Sequence, residues 1–152
     1  KNQHVADDVK VKGVDGLLVR FAGCCNPVPG DRIVGFVSRG RGVTIHRIDC
    51  PNMRDMEEER LLDAEWTGTG VGSYVASIKI TALENAPLMN IVSTECSVLG
   101  LFVLSFNGRV DVKTHKSLAE MTVRLNKKDD LDVLIKKLKS NSEIIDVYRT
   151  IV

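Results

Sequence analysis

Apolar positions run along the chain in two rhythms, one strict and one broken. In the second half, Ala76, Ile78, Ile80 and Ala82 alternate with Ser77, Lys79 and Thr81, the period of a half-buried strand. Leu88, Ile91, Val92, Cys96 and Leu99 then recur at helical spacing after Pro87, and Gly100 supplies a stop. Residues 101–106 are strongly apolar and predict a second strand. Ala119, Met121, Val123 and Leu125 mark one face of a third, over residues 118–125. Leu131, Leu134, Ile135 and Leu138 predict a second helix, capped by Asp129 or Asp130. Its last turns carry Lys136, Lys137 and Lys139, where the helix dipole favours cations. Residues 144–152 predict the final strand. The order β-α-β-β-α-β, closed by right-handed crossovers, predicts a ferredoxin-like antiparallel sheet of four strands with both helices on one face.

The first half is choppier. Residues 1–16 are polar without a sustained period. Residues 17–21 predict a short strand, and Pro27, Pro29 and Gly30 a turn, with Pro29-Gly30 suited to the centre of a type II turn. Residues 32–38 and 43–47 predict a hairpin joined by the glycine-rich residues 39–42. Asp49 is placed to cap a short helix through about residue 58, with Pro51 near its first position. Residues 61–66 predict another strand. TGTGVGS, residues 67–73, reads as a flexible linker. The fold class expected is therefore α+β: a small β-rich unit over residues 1–66, a linker over 67–73, and the β-α-β-β-α-β unit over 74–152.

Composition adds modest constraints. At 152 residues, 43% hydrophobic and 5% aromatic, the chain has globular composition with aliphatic cores. A net charge of +1 excludes blanket electrostatic attraction to nucleic acid. Local charge is more telling: Arg32, Arg39, Arg41 and Arg47 fall in a stretch without an acid, and Asp55, Glu57, Glu58 and Glu59 follow it. No apolar run approaches the ~20 residues needed to span a bilayer. Four cysteines without a signal peptide predict reduced thiols in a cytoplasm. The opening KNQHVADDVK lacks an initiating methionine and reads as a cut within a longer polypeptide.

The chemistry concentrates in residues 24–54. Cys24, Cys25, His46 and Cys50 compose a Cys₃His set, one of the compositions that bind structural zinc. Zinc knuckles usually separate paired cysteines by two residues, so the adjacent pair requires an irregular turn. His46 and Cys50 share a face if a helical turn joins them. The competing reading makes one cysteine a small buried hydrophobe and turns His46 toward a partner. A cysteine nucleophile with His46 as base lacks an oxyanion element or pocket, so no catalytic residue is assigned. Cys96 sits on the apolar face of its helix and is expected in the core. Arg39 and Arg41 stand at a hairpin tip suited to phosphate contact, against the plainer reading of a solvated turn. The loop Glu84-Asn85-Ala86-Pro87 enters the first helix, whose N-terminus could hold an anion such as an amino-acid carboxylate, against the plainer reading that it holds only water.

VRFAGCCNPVPGDRIVGFVSRGRGVTIHRIDCPN, with CC-x-P-x-P-G-D, I-x-G-F and R-G-x-G-V-x-x-H, resembles a family's conserved-cysteine domain. That domain, also called zinc-finger-like or ribosome-intersubunit, belongs to long RelA/SpoT-type enzymes (GTP pyrophosphokinases) that make and hydrolyse guanosine tetra- and pentaphosphate. The unit behind it resembles the ACT domain of the same proteins. The resemblance implies a non-catalytic regulatory fragment of a stringent-response enzyme. It implies contact with the ribosome and ribosomal RNA when uncharged tRNA fills the acceptor site, and with the catalytic half of the parent protein. It points to Arg39, Arg41, His46 and Arg47 for RNA and to Cys24, Cys25, His46 and Cys50 for the conserved set, with His46 serving one role or the other. A homodimer through the ACT unit is expected. The alternative implied is an amino-acid sensor that switches oligomer state, binding a branched-chain amino acid at Asn85, Ala86 and Leu88. Against it, Pro87 stands where such domains carry glycine, which removes an amide donor.

Overall fold

Five short strands build the first unit: β1 (Val9–Val11), β2 (Val19–Phe21), β3 (Ile33–Ser38), β4 (Gly42–Arg47) and β5 (Leu61–Trp66). The computed structural model describes residues 5–14, 16–40, 42–68 and 71–151. The strands lie in the order β1-β5-β3-β4-β2. β3 and β4 form the expected hairpin, paired from Ile33↔Arg47 to Ser38↔Gly42. β5 pairs antiparallel with β3, and β2 runs parallel to β4. The core is small: Val43 and Ile45 are fully buried, and Phe21, Ile33, Val9 and Val11 are buried as well. The Phe21 and Trp66 rings lie 5.5 Å apart, and the indole donates to the Asp31 carbonyl at 3.0 Å. The Pro29-Gly30 turn forms as expected, with Gly30 at φ 102° and Asp31 N donating to Val28 O at 2.9 Å.

Three features of this unit differ from the sequence expectation. β1 is a strand within a stretch that showed no sustained period, because its three residues gain their pairing from the distant β5. The helix expected from Asp49 is a single 3₁₀ turn, Pro51–Met53, with Cys50 and not Asp49 at its N-cap; a second 3₁₀ turn spans Glu58–Arg60. Neither turn buries a residue, and a short helix without a buried face has no packing to sustain it. The Asp49 carboxylate takes the Arg47 guanidinium at 2.9 Å instead. In the TGTGVGS segment, Thr69 and Gly70 lie outside the described residues, while Val71, Gly72 and Ser73 already belong to a strand. The alternation that buries Tyr74, Ala76 and Ile78 draws the preceding residues into the ladder.

The second unit, Gly72–Thr150, follows the predicted element order. β6 (Val71–Leu83), α1 (Leu88–Leu99), β7 (Phe102–Asp111), β8 (Lys116–Lys127), α2 (Asp130–Lys139) and β9 (Ile144–Thr150) give a sheet ordered β7-β8-β6-β9. α1 and α2 pack on each other. Between helices and sheet lie Ile78, Ile80, Val92, Cys96, Met121, Val123, Leu125, Leu134, Leu138 and Val147, all nearly inaccessible. Gly100 caps α1 in the left-handed region at φ 70°, and Leu101 N reaches back to Cys96 O at 2.8 Å. Asp129 holds the N-cap position of α2 without a side-chain bond. The buried carboxylate is that of Asp130, which accepts from Asn126 N at 2.7 Å and Lys127 N at 3.0 Å.

Candidate metal centre

The adjacent cysteines sit on a single tight turn. Asn26 N donates to Ala22 O at 3.0 Å, and Asn26 itself takes φ 45°, a left-handed conformation that asparagine tolerates better than most residues. On a helix-like turn of this kind consecutive side chains diverge by only about 100°, where an extended strand would send them to opposite faces, so both sulfurs can reach one site. His46 comes from β4, beside that turn. Cys50 follows a second turn, closed by Cys50 N donating to Arg47 O at 3.1 Å. His46 and Cys50 are therefore brought together by a strand end and a tight turn, not by a helical turn.

Four ligand atoms converge, all within 4.8 Å of one another. Cys24 Sγ lies 3.4 Å from His46 Nδ1 and 3.5 Å from Cys50 Sγ, and Cys25 Sγ lies 3.9 Å from His46 Nδ1. A tetrahedral zinc ion with Zn–S near 2.3 Å sets ligand edges of about 3.8 Å between sulfurs. The donor set matches those edges and is soft, so the residues fit a metal ion. Cys25, His46 and Cys50 are buried and Cys24 is half-buried. Ala22, Met53 and Ile151 pack around the cysteines.

Electrostatics point the same way. Burial pushes the Cys25 thiol up to about 12, against a weaker opposing pull from the Arg47 backbone N–H, which donates to its sulfur at 3.3 Å. Burial also raises the Cys50 thiol and lowers His46. The pocket thus holds a neutral imidazole, which is the ligating form, beside two thiols, Cys25 and Cys50, whose burial disfavours the ionised state. A bound metal reverses that balance and displaces the thiol protons.

The arginines expected to meet RNA divide. Arg39 is exposed at the tip of the β3–β4 hairpin, and Arg41 lies outside the described residues. Arg47 is largely buried and is held by Asp49 at 2.9 Å and Asp31 at 3.8 Å. His46 turns Nδ1 toward the thiols and is 6% exposed. Of the expected ligand residues at the start of α1, Asn85 is exposed but Ala86 and Leu88 are buried. The Leu88 amide is also committed, donating to Ala86 O at 2.9 Å. Spacing alone did not disclose three supporting groups: Asn26, Asp31 and the Arg47 amide. Only the Asn-Pro after the cysteines hinted at one of them.

Comparison with known proteins agrees with the resemblance read from the sequence. Residues 9–67 match the RelA/SpoT RIS domain family. The chain is 36% identical over 144 residues to a GTP pyrophosphokinase of Photobacterium angustum, covering 93% of this chain and 19% of that protein. It is 34% identical over 143 residues to the GTP pyrophosphokinase of Streptomyces coelicolor, again covering 93% of this chain and 17% of that protein. For the protein of that name from Escherichia coli K12 the identity is 31% over 144 residues, at 93% and 19% coverage. The chain therefore spans about a fifth of the length of these relatives. Among solved structures, the ACT domain from a GTP pyrophosphokinase of Chlorobium tepidum aligns at a TM-score of 0.45 and 16% identity, covering 52% of this chain and all of that one. Among the described residues, no helix is long and apolar enough to cross a membrane.

Proposed function

We propose that this chain is a non-catalytic, ribosome-binding regulatory part of a cytoplasmic RelA/SpoT-type GTP pyrophosphokinase, in which a zinc-held hairpin presents arginine to ribosomal RNA. The observation that carries the reading is the placement of Arg39. It stands exposed at the end of a two-stranded hairpin whose other end carries His46, beside Cys24, Cys25 and Cys50. Those four residues would hold zinc, which when bound supplies a covalent-like cross-link in a unit with little core of its own. Arg39, with Arg41 two positions on in the sequence, makes bidentate contact with phosphate oxygens. His46 is assigned to the metal, and Arg47 to bracing the turn through Asp31 and Asp49. The catalytic half of the parent protein would read out the docked state, coupling uncharged tRNA at the acceptor site to alarmone synthesis and hydrolysis.

Binding to ribosomes carrying deacylated tRNA in the acceptor site tests this. Arg39→Ala with Arg41→Ala is expected to weaken co-sedimentation at least tenfold while leaving zinc content and thermal unfolding unchanged, each lost phosphate contact also flattening the salt dependence. Unchanged ribosome affinity in that variant would overturn the contact surface.

A homodimer through the second unit is part of the same proposal. β7 is an edge strand of ten residues with Phe102, Leu104 and Val110 exposed. Met89 and Val98 add exposed apolar surface on α1. A long, apolar, unpaired edge is what a second copy would cover. The amino-acid-sensing alternative draws no support from the start of α1, where Pro87 has no amide hydrogen and the Leu88 amide is already bonded.

A further inference from the structure

Three thiols within bonding reach of one another make a second chemistry available at the same site, and its geometry is uneven. Cys25 and Cys50 are each 3% exposed, whereas Cys24 is only half-buried and opens toward solvent. Cys24 Sγ is also the hub, 3.5 Å from Cys50 Sγ. A disulfide needs those sulfurs at about 2.05 Å, an approach of roughly 1.5 Å that side-chain rotation can supply between two loop turns. Adjacent Cys24 and Cys25 would have to close a strained small ring across their shared peptide. Cys25 is further tied by the Arg47 amide.

We infer that Cys24 and Cys50 form a peroxide-driven disulfide that dismantles the metal centre, so that the basic hairpin is released from its base under oxidation. The inference rests on the metal reading above. The Cys24 thiolate attacks one oxygen of a hydroperoxide such as hydrogen peroxide. The O–O bond breaks, the departing hydroxide takes a proton and leaves as water, and Cys24 becomes a sulfenic acid. Cys50 then attacks the Cys24 sulfur, the S–O bond breaks, and a second water leaves. Two thiols and one hydrogen peroxide become one disulfide and two waters, with two electrons passing from sulfur to oxygen. Cys25 and His46 remain, and two ligands are too few to retain a tetrahedral ion.

Zinc-loaded protein treated with hydrogen peroxide tests this by two readouts, free zinc against a chromogenic chelator and the linkage map. Trypsin places Cys24 and Cys25 in residues 21–32 and Cys50 in residues 48–54, and fragmentation between the adjacent cysteines assigns the bond. The expected result is zinc release in step with a Cys24–Cys50 linkage, both reversed by dithiothreitol plus zinc, with Cys96 still reduced in the core. Cys24→Ser, which lacks one of the four ligands, is read by its linkage map alone, and its peroxide-driven disulfide formation is expected to slow by about tenfold, as loss of the accessible thiolate should. Linkage to Cys25, a bond between chains, sulfinic acid without a disulfide, or retained zinc would overturn the inference. Protein that carries no zinc at the outset defeats the metal reading instead, and the linkage map of that protein still decides the pairing.

Discussion

Gly42 and Gly40 flank the same hairpin tip, and their different surroundings separate two kinds of glycine requirement. Both take positive φ, 83° and 72°. A Cβ on Gly40 would meet nothing within 4 Å, whereas one on Gly42 would press into the Leu18 carbonyl, where Val43 N donates at 2.9 Å. Gly40→Ala should therefore cost ~1 kcal/mol, the left-handed penalty alone. Gly42→Ala should cost ~3 kcal/mol or more, since β2 must be forced off β4 as well. Urea unfolding of the two variants checks the difference, and equal losses would mean that the β2–β4 contact is not close.

The buried ligands also set a pH window for the metal-free unit. The Cys25 thiol is raised from 9.0 to about 12, so above pH 9 the unfolded chain releases a proton that the folded chain keeps. That stabilisation is full below pH 9 and is lost as pH climbs toward 12. His46 is lowered from 6.5, so its stabilisation is present above 6.5 and fades as pH falls below it, where the unfolded ring gains a proton. Chelator-treated protein should show a stability plateau between about pH 6.5 and 9, with the acid limb flattened in His46→Asn. A profile with no acid limb would contradict the buried neutral imidazole.

Among the elements, the hairpin and the sheet of the second unit were legible because their signals are local. Pro29-Gly30 fixes its own turn, and the alternation from Ala76 to Ala82 names its own buried face. β1 and the 3₁₀ turns were not legible, for a shared reason. Val9–Val11 is a strand only because Ala64 to Trp66 lie opposite it. Residues 51–58 stop at short 3₁₀ turns because none of the residues in those turns is buried, Met53 being only partly covered where it packs against the cysteines. The convergence of Cys24 with Cys50 belongs to the same category: the residue types were plain, but the turn at Asn26 that makes adjacent cysteines usable was not. For β7, an exposed edge strand supports a specific expectation. The wild-type chain should sediment as a dimer, and Leu104→Lys with Val110→Lys, which places charge along that edge, should sediment as a monomer with little change in thermal unfolding. A monomeric wild-type chain at micromolar concentration would remove the proposed interface.

At the scale of the whole molecule, the two units hold themselves together by different means. The second unit buries a layer of Ile, Val, Leu and Met between two helices and four strands, and its buried carboxylate, Asp130, is satisfied by the Asn126 and Lys127 amides. The first unit has five short strands, few fully buried side chains, and a cluster of thiols where a larger protein would have more core. A unit of about 70 residues with so little apolar burial needs a further constraint, and a metal bridging the residue-24 turn, β4 and the residue-50 turn is one. Because metal binding is linked to folding, removing it withdraws stability only from the unit that holds it. Calorimetry should therefore show two transitions in the intact chain. Chelator should lower the midpoint of one by 10 °C or more, on the order expected for losing a few kcal/mol from a small domain, and leave the other in place. Cys50→Ser should reproduce the shift without chelator, and Cys96→Ser should not affect the chelator-sensitive transition. A single transition that ignores chelator would mean that the cysteine cluster packs as ordinary core, and that the hairpin stands on its hydrogen bonds alone.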